Sequence, residues 1–436
     1  MKFRFYLAVI IAKILYLTLK ITRLSSGTAI IGLITLKICP EFLVFADKYF
    51  VKSKINVTGT NGKTTTSGLI SHLIKQENCS LITNAKGANM LNGIVNALAV
   101  QINPFKKFDY SVIETDEAFV AKVFDKMDSN YLLVTNLFED QTDRFSSPIV
   151  TRDIIQKGIN LRPDVLLVLN ADEPISSTLS SKNPAIYYGF NNVYDEEGNL
   201  VEYEKRDFVC PICGNKLEYS KNFYSQQGHY YCSCNYSRPQ PRYQADVKLY
   251  SDSVEINLDN VIYNIPLVGL FNAYNALAAI VLAKELKLEG LVENVKSFKV
   301  AFGRSERRNL YGHDTLIQLI KNPAGTNEVL RTVDLSSNIL VAANNNVADG
   351  TDISWIEQAN FEILAGNNKE VVVTGLCTNE VAERLKKAGV KNIKTISSIA
   401  EAIEYIGTNA DNNITVLTTY TALLTIDKIK EMKKCY

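Results

Sequence analysis

From residue 54 the chain alternates short runs rich in β-branched and aromatic residues with longer stretches of helical composition. That alternation predicts a parallel sheet joined by crossover helices. Candidate strands are Ile55–Thr58, Tyr110–Glu114, Tyr131–Asn136 and Val165–Leu169, each running into polar or Gly-rich sequence. Ligands of open α/β sheets gather at the carboxyl ends of strands, so the residues just after these runs are where chemistry is to be sought. Between about 205 and 240 the composition shifts to Cys, Tyr, Asn and Ser and reads as an insertion; a β-like stretch, Val247–Leu258, and a helix around 272–287 follow it. A second alternating block starts near residue 300, with strands Asn338–Ala343, Glu370–Thr374, Ile393–Ile396 and Thr415–Thr419 and helical sequence such as NEVAERLKKAG between them. The predicted organisation is an N-terminal segment 1–49, an α/β domain 50–304 carrying the insert, and a C-terminal α/β domain 305–436. No internal repeat or long low-complexity tract interrupts it.

The first 40 residues superficially resemble a signal peptide, but the apolar run Phe5–Ala12 ends after eight residues at Lys13. The charge-free run Leu24–Leu36 also falls short of the roughly 18–20 residues that span a bilayer. Lys2, Lys13 and Lys20 lie 11 and 7 residues apart, which at about 100° per residue places them on one side of an otherwise apolar helix. Six basic residues (Lys2, Arg4, Lys13, Lys20, Arg23, Lys37) and no acidic one occur before residue 41. Packing on the next domain is the first reading of this helix; contact with an anionic membrane surface is the second.

Composition narrows the picture. At 436 residues the chain exceeds a single core, and 46% apolar with 21% charged residues describes an ordinary globular protein. With 47 basic and 46 acidic side chains there is no global attraction toward nucleic acid. Four of eight cysteines fall within 25 residues, unlike a disulfide framework, which suits a cytoplasmic chain with a metal site. Three histidines (His72, His229, His313) leave no HExxH or His-rich metal centre.

The strongest chemical signal is GTNGKTTT, Gly59–Thr66, between the strand INVT and the helical SGLISHLIK. A strand, a Gly-bearing loop, Lys-Thr and a helix wrap backbone N–H groups around a polyphosphate at a helix N-terminus. Gly59, Thr60, Asn61, Gly62, Lys63, Thr64 and Thr65 are therefore the candidate nucleotide contacts, with Lys63 neutralising the β and γ phosphates and Thr64 ligating magnesium. The common GxxxxGK[ST] pattern would place glycine where this chain has Val57, so Gly59 serves a shortened loop. Magnesium needs another hard oxygen; Glu114, closing YSVIE, is the candidate, with Asp116 and Glu117 as alternatives. The bland reading of those acids is a cluster complementing a helix N-terminus.

Cys210 and Cys213, then Cys232 and Cys234, form C-x2-C and C-x-C with 18 residues between. Two close thiolate pairs suit a closed, structural Zn²⁺ ribbon, with free thiols or two disulfides as alternatives. The insert lacks a concentrated basic stripe, so scaffolding is expected rather than nucleic-acid binding. Cys39, Cys79 and Cys435 read as buried or terminal thiols. Cys377 follows a strand and precedes a helix, but a nucleophile there needs a base, and only His313 lies in this half. It reads first as an ordinary cysteine at a helix start.

Taken together, VTGTNGKTTT, ETDEA, TNLFEDQTDR (135–144), LNADEP (169–174) and GLFNAYNALAA (269–279) resemble the ATPase domain of the Mur ligases. The four-Cys insert, FGRSERR (302–308), KNPAGTNEVL (321–330), ADGTDISWIE (348–357) and TTYTALL (418–424) narrow the resemblance to MurT-type ligase subunits of lipid II isoglutaminyl synthases. It implies a Mur ligase-like P-loop ATPase domain with a zinc-ribbon insertion and a Rossmann-like C-terminal domain. It also implies an ATP- and Mg²⁺-dependent amidation of the D-glutamate α-carboxylate of lipid II through an acyl phosphate. The ammonia would come from a GatD-like glutamine amidotransferase partner, since no Cys-His glutaminase pair is evident here. By the same resemblance Asn272 contacts adenine with Asn275 nearby, Arg304 reaches the nucleotide, and Asp349 is required for activity, with Asp352 and Trp355 supporting its loop. Helix capping is the bland reading of the two asparagines, and an Asp-Gly turn that of Asp349. Amino-acid-adding Mur ligases carry DHxDR where this chain has DQTDR, with Gln141, and their carbamylated lysine has no clear counterpart, Lys157 being only near its place. Two alternatives remain: a Mur- or folylpolyglutamate-type ligase adding an amino acid, and a non-catalytic ATP-binding assembly module.

Overall fold

The computed structural model describes residues 2–22, 28–84, 88–139, 147–180, 182–201, 207–299, 304–346 and 348–434. Gln141 with the rest of DQTDR, and Cys435, lie outside them. In chain order the first strands are β1 (Phe50–Thr58), β2 (Leu81–Thr83), β3 (Phe108–Glu114), β4 (Tyr131–Val134), β5 (Leu166–Asn170) and β6 (Ala185–Tyr194). Next come β7 (Glu218–Tyr224), β8 (Gln227–Tyr231), β9 (Tyr243–Leu249), β10 (Val254–Leu258) and β11 (Val261–Ile265). Nine of these form one sheet, ordered β11-β10-β9-β6-β5-β4-β1-β3-β2. Its ladders from β9 to β2 are parallel, while β10 and β11 fold back antiparallel at the edge. Val247–Leu258 is thus not one run: the polar turn Tyr250–Ser253, closed by Tyr250 N–H to Ser253 O at 3.0 Å, reverses the chain.

The second sheet holds β12 (Arg304–Leu310), β13 (His313–Leu319), β14 (Asn338–Ala342), β15 (Val371–Thr374), β16 (Ile393–Thr395), β17 (Ile414–Thr418) and β18 (Met432–Lys434). Its order is β16-β15-β14-β17-β13-β12-β18. The ladders from β16 to β13 are parallel, and β12 pairs antiparallel with both β13 and β18. The charged sequence RSERRNL conceals β12 from a hydrophobicity reading; its burden is offset where buried Arg308 meets Glu306 and Asp427 at 3.1 and 3.0 Å.

Packing explains which helices lie where. The helix Lys63–Gln76 follows the phosphate loop and buries Leu69, Ile70, Leu73 and Ile74 against the helix Leu270–Glu285, whose AAIVLA run is buried throughout. On the opposite face of the sheet, the helices Lys2–Thr22 and Thr28–Ile38 join the core of Leu91–Gln101. Phe5 stacks on Phe42 and Tyr49 with ring centroids 5.0 and 5.6 Å apart, a burial worth about 1.5–3 kcal/mol. Gly32 lets the second helix lie on the backbone of Asn92: a Cβ there would sit 1.8 Å from Asn92 O. One face of the N-terminal helix is therefore packed, as its first reading held. Among the described residues no single helix is long and apolar enough to cross a membrane, although the bent pair Ala29–Ile38 and Phe42–Tyr49 passes together by length and composition.

The insert separates the neighbouring parallel strands β6 and β9 and carries the antiparallel pair β7–β8. It docks beside the turn after β5. Arg238 donates to buried Asp172 at 2.6 Å, and Asp172 also accepts from Phe190 N–H and Tyr274 OH at 2.8 and 2.9 Å. Gln226 donates to Glu173 at 2.5 Å and to Leu137 O at 3.0 Å, tying the insert to the loops after both β5 and β4.

Candidate active site

The phosphate loop leaves the carboxyl end of β1 and enters the helix Lys63–Gln76 through Gly62, whose φ is 87°. Among the described residues no side chain caps this helix, which leaves its first-turn N–H groups to an anion at the positive end of the dipole. The end of β4 clamps the loop from below. Asn136 accepts Asn61 N–H at 2.9 Å and donates back to Asn61 O at 3.1 Å, while its own carbonyl accepts Thr60 N–H at 2.9 Å. Thr60 Oγ1 accepts Phe138 N–H at 3.1 Å. The helix Leu270–Glu285 meets the loop at Gly62, where a Cβ would lie 1.9 Å from Asn275 Oδ1. Gly62→Ala is therefore expected to cost about 1–3 kcal/mol and to abolish ATP-induced thermal stabilisation; melting curves with and without nucleotide check both.

Lys63, Thr64 and Glu114 come together here. Thr64 Oγ1 donates to Glu114 Oε2 at 2.8 Å, and Glu114 Oε1 accepts Asn89 Nδ2 at 3.0 Å. Asn84 holds the same strand end, accepting Glu114 N–H at 2.8 Å and donating to its carbonyl at 2.7 Å. The other two acids have different work: Asp116 accepts Ala118 N–H at 3.1 Å and starts a short 3₁₀ turn, whereas Glu117 pairs with Lys63 at 3.0 Å. Burial pulls the Lys63 amine down, but Glu117, Glu114 and Asp116 outweigh it and hold the amine above its ordinary pKa. Thr64 and Glu114 offer hard oxygens suited to a divalent magnesium-type cation, and a charged lysine beside uncapped N–H groups suits a polyphosphate.

The second domain reaches this loop with residues to which the motifs had assigned no role. Asn322 exchanges two side-chain hydrogen bonds with Asn61, at 3.3 and 3.0 Å, and Lys321 Nζ donates to Thr60 O at 3.4 Å. Both follow β13, so the strand-end rule used on the first block would have found them had β13 been recognised. Asn272 is buried, donating to Val268 O at 2.8 Å and accepting from Asn275 at 3.3 Å. It lies just beyond Val268, Gly269 and Leu270, which line a cleft of about 590 Å³ against Arg307, Glu328 and Arg331 of the second domain. Arg304 opens β12, but its side chain lies outside the described residues. Lys157 is exposed on the helix Pro148–Ile159.

Asp349 stands apart from this constellation. It accepts Thr421 N–H and Oγ1–H at 2.8 and 2.5 Å, joining the loop after β14 to the helix after β17. Asp352 accepts Ser354 N–H at 2.8 Å, just before the short helix opened by Trp355. Buried Cys377 precedes the helix Thr378–Lys387, and burial with nearby Glu380 and Asp349 pushes its thiol up to about 11, the wrong direction for a nucleophile.

In the insert, the ligand atoms of Cys210, Cys213, Cys232 and Cys234 all lie within 4.8 Å of one another. Two turns present them, Val209 bridging to Lys216 and Tyr231 to Ser237. Cys210 and Cys234 sulfurs are 3.7 Å apart and those of Cys213 and Cys232 3.5 Å. A tetrahedral Zn²⁺ with Zn–S of about 2.3 Å sets its sulfurs about 3.8 Å apart, whereas a disulfide needs about 2.05 Å. The donor set fits zinc.

Residues 57–223 match the family described as Mur ligase middle domain, and residues 319–423 the family described as MurT ligase C-terminal. The lipid II isoglutaminyl synthase (glutamine-hydrolyzing) subunit MurT of Staphylococcus aureus (strain COL) is 35% identical over 373 residues, covering 84% of each chain. The subunit of the same name from Streptococcus pneumoniae (strain ATCC BAA-255 / R6) is 30% identical over 415 residues, 93% of this chain and 92% of its own. Among solved structures, a pseudomurein peptide ligase type C from Methanothermus fervidus superposes with a TM-score of 0.68 at 22% identity, over 90% of this chain and 81% of that one. A MurF from Acinetobacter baumannii gives 0.64 at 15% identity, over 91% and 80%. These two likenesses establish the Mur ligase-like α/β fold.

Proposed function

Since the chain belongs to the MurT family, we propose that it is the ATP-dependent subunit of a lipid II isoglutaminyl synthase, amidating the D-glutamate α-carboxylate of the stem peptide. The observation that carries this reading is the phosphate loop itself, with Lys63 charged, Thr64 against Glu114, and Asn322 of the second domain bonded to Asn61. A carboxylate is a poor electrophile with a poor leaving group. Transfer of the γ-phosphoryl of ATP to one carboxylate oxygen yields an acyl phosphate; ammonia then adds at the carbonyl carbon, loses a proton, and expels phosphate together with that oxygen.

The roles of this chain's residues follow from that chemistry. The uncapped N–H groups from Lys63 to Thr65, with Gly59 to Gly62, would cradle the phosphates, and Lys63 would exchange Glu117 for the γ-phosphoryl as negative charge develops there. Thr64 and Glu114 would hold Mg²⁺, which when bound neutralises phosphate charge. Asn272 would contact adenine from the cleft edge and Arg304 the nucleotide from the start of β12, while Asp349 would fix the loop face on which ammonia is delivered. Cys210, Cys213, Cys232 and Cys234 would hold a structural zinc in a ribbon inserted in the ATPase domain. The working limits are 50–304 for that domain and 305–436 for the C-terminal one. A GatD-like glutaminase subunit would supply ammonia, at the cytoplasmic face of the membrane.

The donor of nitrogen tests this assignment. The isolated chain with ATP, Mg²⁺ and ammonium chloride is expected to amidate lipid II, and with glutamine to do so only when the glutaminase partner is added. Mass spectrometry of the stem peptide reads the result; an added amino acid, or glutamine use by the isolated chain, would refute the assignment.

A further inference from the structure

The N-terminal helix Lys2–Thr22 presents two apolar faces, and the fold covers one of them. Phe5, Ala8, Val9 and Ala12 are in the core. Phe3, Leu7, Ile10, Ile14, Leu17 and Ile21 step along the opposite side at intervals of 4, 3, 4, 3 and 4 residues, a helical stripe. All six face solvent, with exposures from 37% to 77%. A lone exposed leucine needs no explanation, but a continuous stripe along some five turns does. The flanks say what covers it. Lys2, Arg4 and Lys20 are exposed beside the stripe, Lys37 is exposed on the next helix, and no acidic residue occurs before Glu41. At the amino end, Phe105 is 97% exposed at the tip of a loop. With Lys2, Tyr6, Lys48, Lys106 and Lys107 it borders a cleft of about 290 Å³. A protein partner would be expected to meet charges of both signs; here the stripe, the protruding ring and a border whose charged residues are all lysines match one occupant.

We propose that this stripe, with Phe105 and its lysines, is an in-plane docking surface for an anionic lipid bilayer. Apolar side chains enter the acyl boundary while the lysines meet headgroup phosphates, an arrangement that needs no membrane-spanning helix. The site's position gives the surface a use, and here the inference rests on the proposed function, whose substrate is lipid-linked. The second N-terminal helix lies on Leu91–Gln101 with Gly32 against Asn92, and the loop before that helix carries Asn89, bonded to Glu114. Docking would hold the reaction site at a fixed height over the surface that displays the substrate.

The test is sedimentation of the full chain with vesicles of phosphatidylcholine alone or with one-third phosphatidylglycerol. The wild type is expected to bind the anionic vesicles at least about tenfold more tightly than the neutral ones, with binding weakened by salt. The triple variant I10E/I14E/L17E, with circular dichroism and melting temperature unchanged, is expected to lose that binding. F105E serves as a second variant that leaves the helix intact and is expected to weaken it. Amidation of detergent-dispersed lipid II by the triple variant should match wild type while amidation of vesicle-borne lipid II falls; failure of amidation by the wild type would instead count against the proposed function. Equal vesicle binding by wild type and variants overturns the proposal. So does a wild type that ignores anionic vesicles but dimerises through the stripe, with the variants monomeric by light scattering.

Discussion

Lys63→Ala is expected to lower amidation of lipid II by the partner complex about 100- to 1,000-fold, the usual effect of removing one preorganised charge from a site of developing negative charge. The expectation follows from where the amine is held. It is nearly buried, kept charged by three surrounding carboxylates, and placed one residue before the Thr64–Glu114 pair at an uncapped helix start. Removing it takes away the group best able to follow charge onto the transferring phosphoryl. The loss should appear in kcat with little change in KM for lipid II, because in the proposed role the lysine would meet the nucleotide and not the peptide. Misfolding is separable from this effect. Glu117 would lose its partner, but burial already pushes its carboxyl toward the protonated form, so it can become neutral in place. Melting curves should therefore differ modestly while steady-state rates collapse; rates within a factor of about three of wild type would remove Lys63 from the chemistry.

Removal of the zinc proposed for the insert is expected to have the second large effect. The insert has a small core, Cys210, Leu217, Tyr219, Tyr230 and Cys232, with few apolar partners beyond them. With so small a core, the insert is expected to depend on the proposed metal for folding. Chelation, or Cys210→Ser with Cys232→Ser, is expected to cost about 3 kcal/mol or more, lowering Tm by roughly 6–12 °C. The consequence should reach the phosphate loop, because Gln226 of the insert holds Leu137 O and the next residue, Phe138, donates to Thr60. Loss of metal is therefore expected to weaken nucleotide binding along with stability. Metal analysis of the purified chain supplies the control: about one zinc per chain in wild type, none in the double variant.

The elements legible in the sequence were those whose local pattern and packing agree. GTNGKTTT between an apolar strand and an amphipathic helix identifies the phosphate loop, and Glu114 is found because it leaves the adjoining parallel strand. The cysteines could be paired from spacing, and the geometry brings all four together. Other residues were hidden by the physics of the chain. The strand β12 is mostly charged, a burden neutralised only in three dimensions, as with Arg308, Glu306 and Asp427. Without β12 and β13 there was no strand end to draw attention to Lys321 and Asn322. Glu117 reads from the sequence only as an alternative to Glu114, alongside Asp116, and only the path of the turn after β3 selects it as the partner of Lys63. Asn136 sits in a recognisable motif, yet its task of bonding Asn61 on both sides of one amide is a long-range contact no local pattern encodes. For the N-terminal helix, the sequence offered packing or membrane contact; the structure buries one face and leaves the other open.

Activation of the carboxylate by phosphorylation on this chain would leave its mark in oxygen transfer. Lipid II carrying ¹⁸O in the D-glutamate α-carboxylate is given to the partner complex with unlabelled ATP, Mg²⁺ and glutamine in unlabelled water, and the released phosphate is examined by mass spectrometry. An acyl phosphate requires that each amide formed send one labelled oxygen into inorganic phosphate. Phosphate free of ¹⁸O, with amidation proceeding normally, would contradict the account.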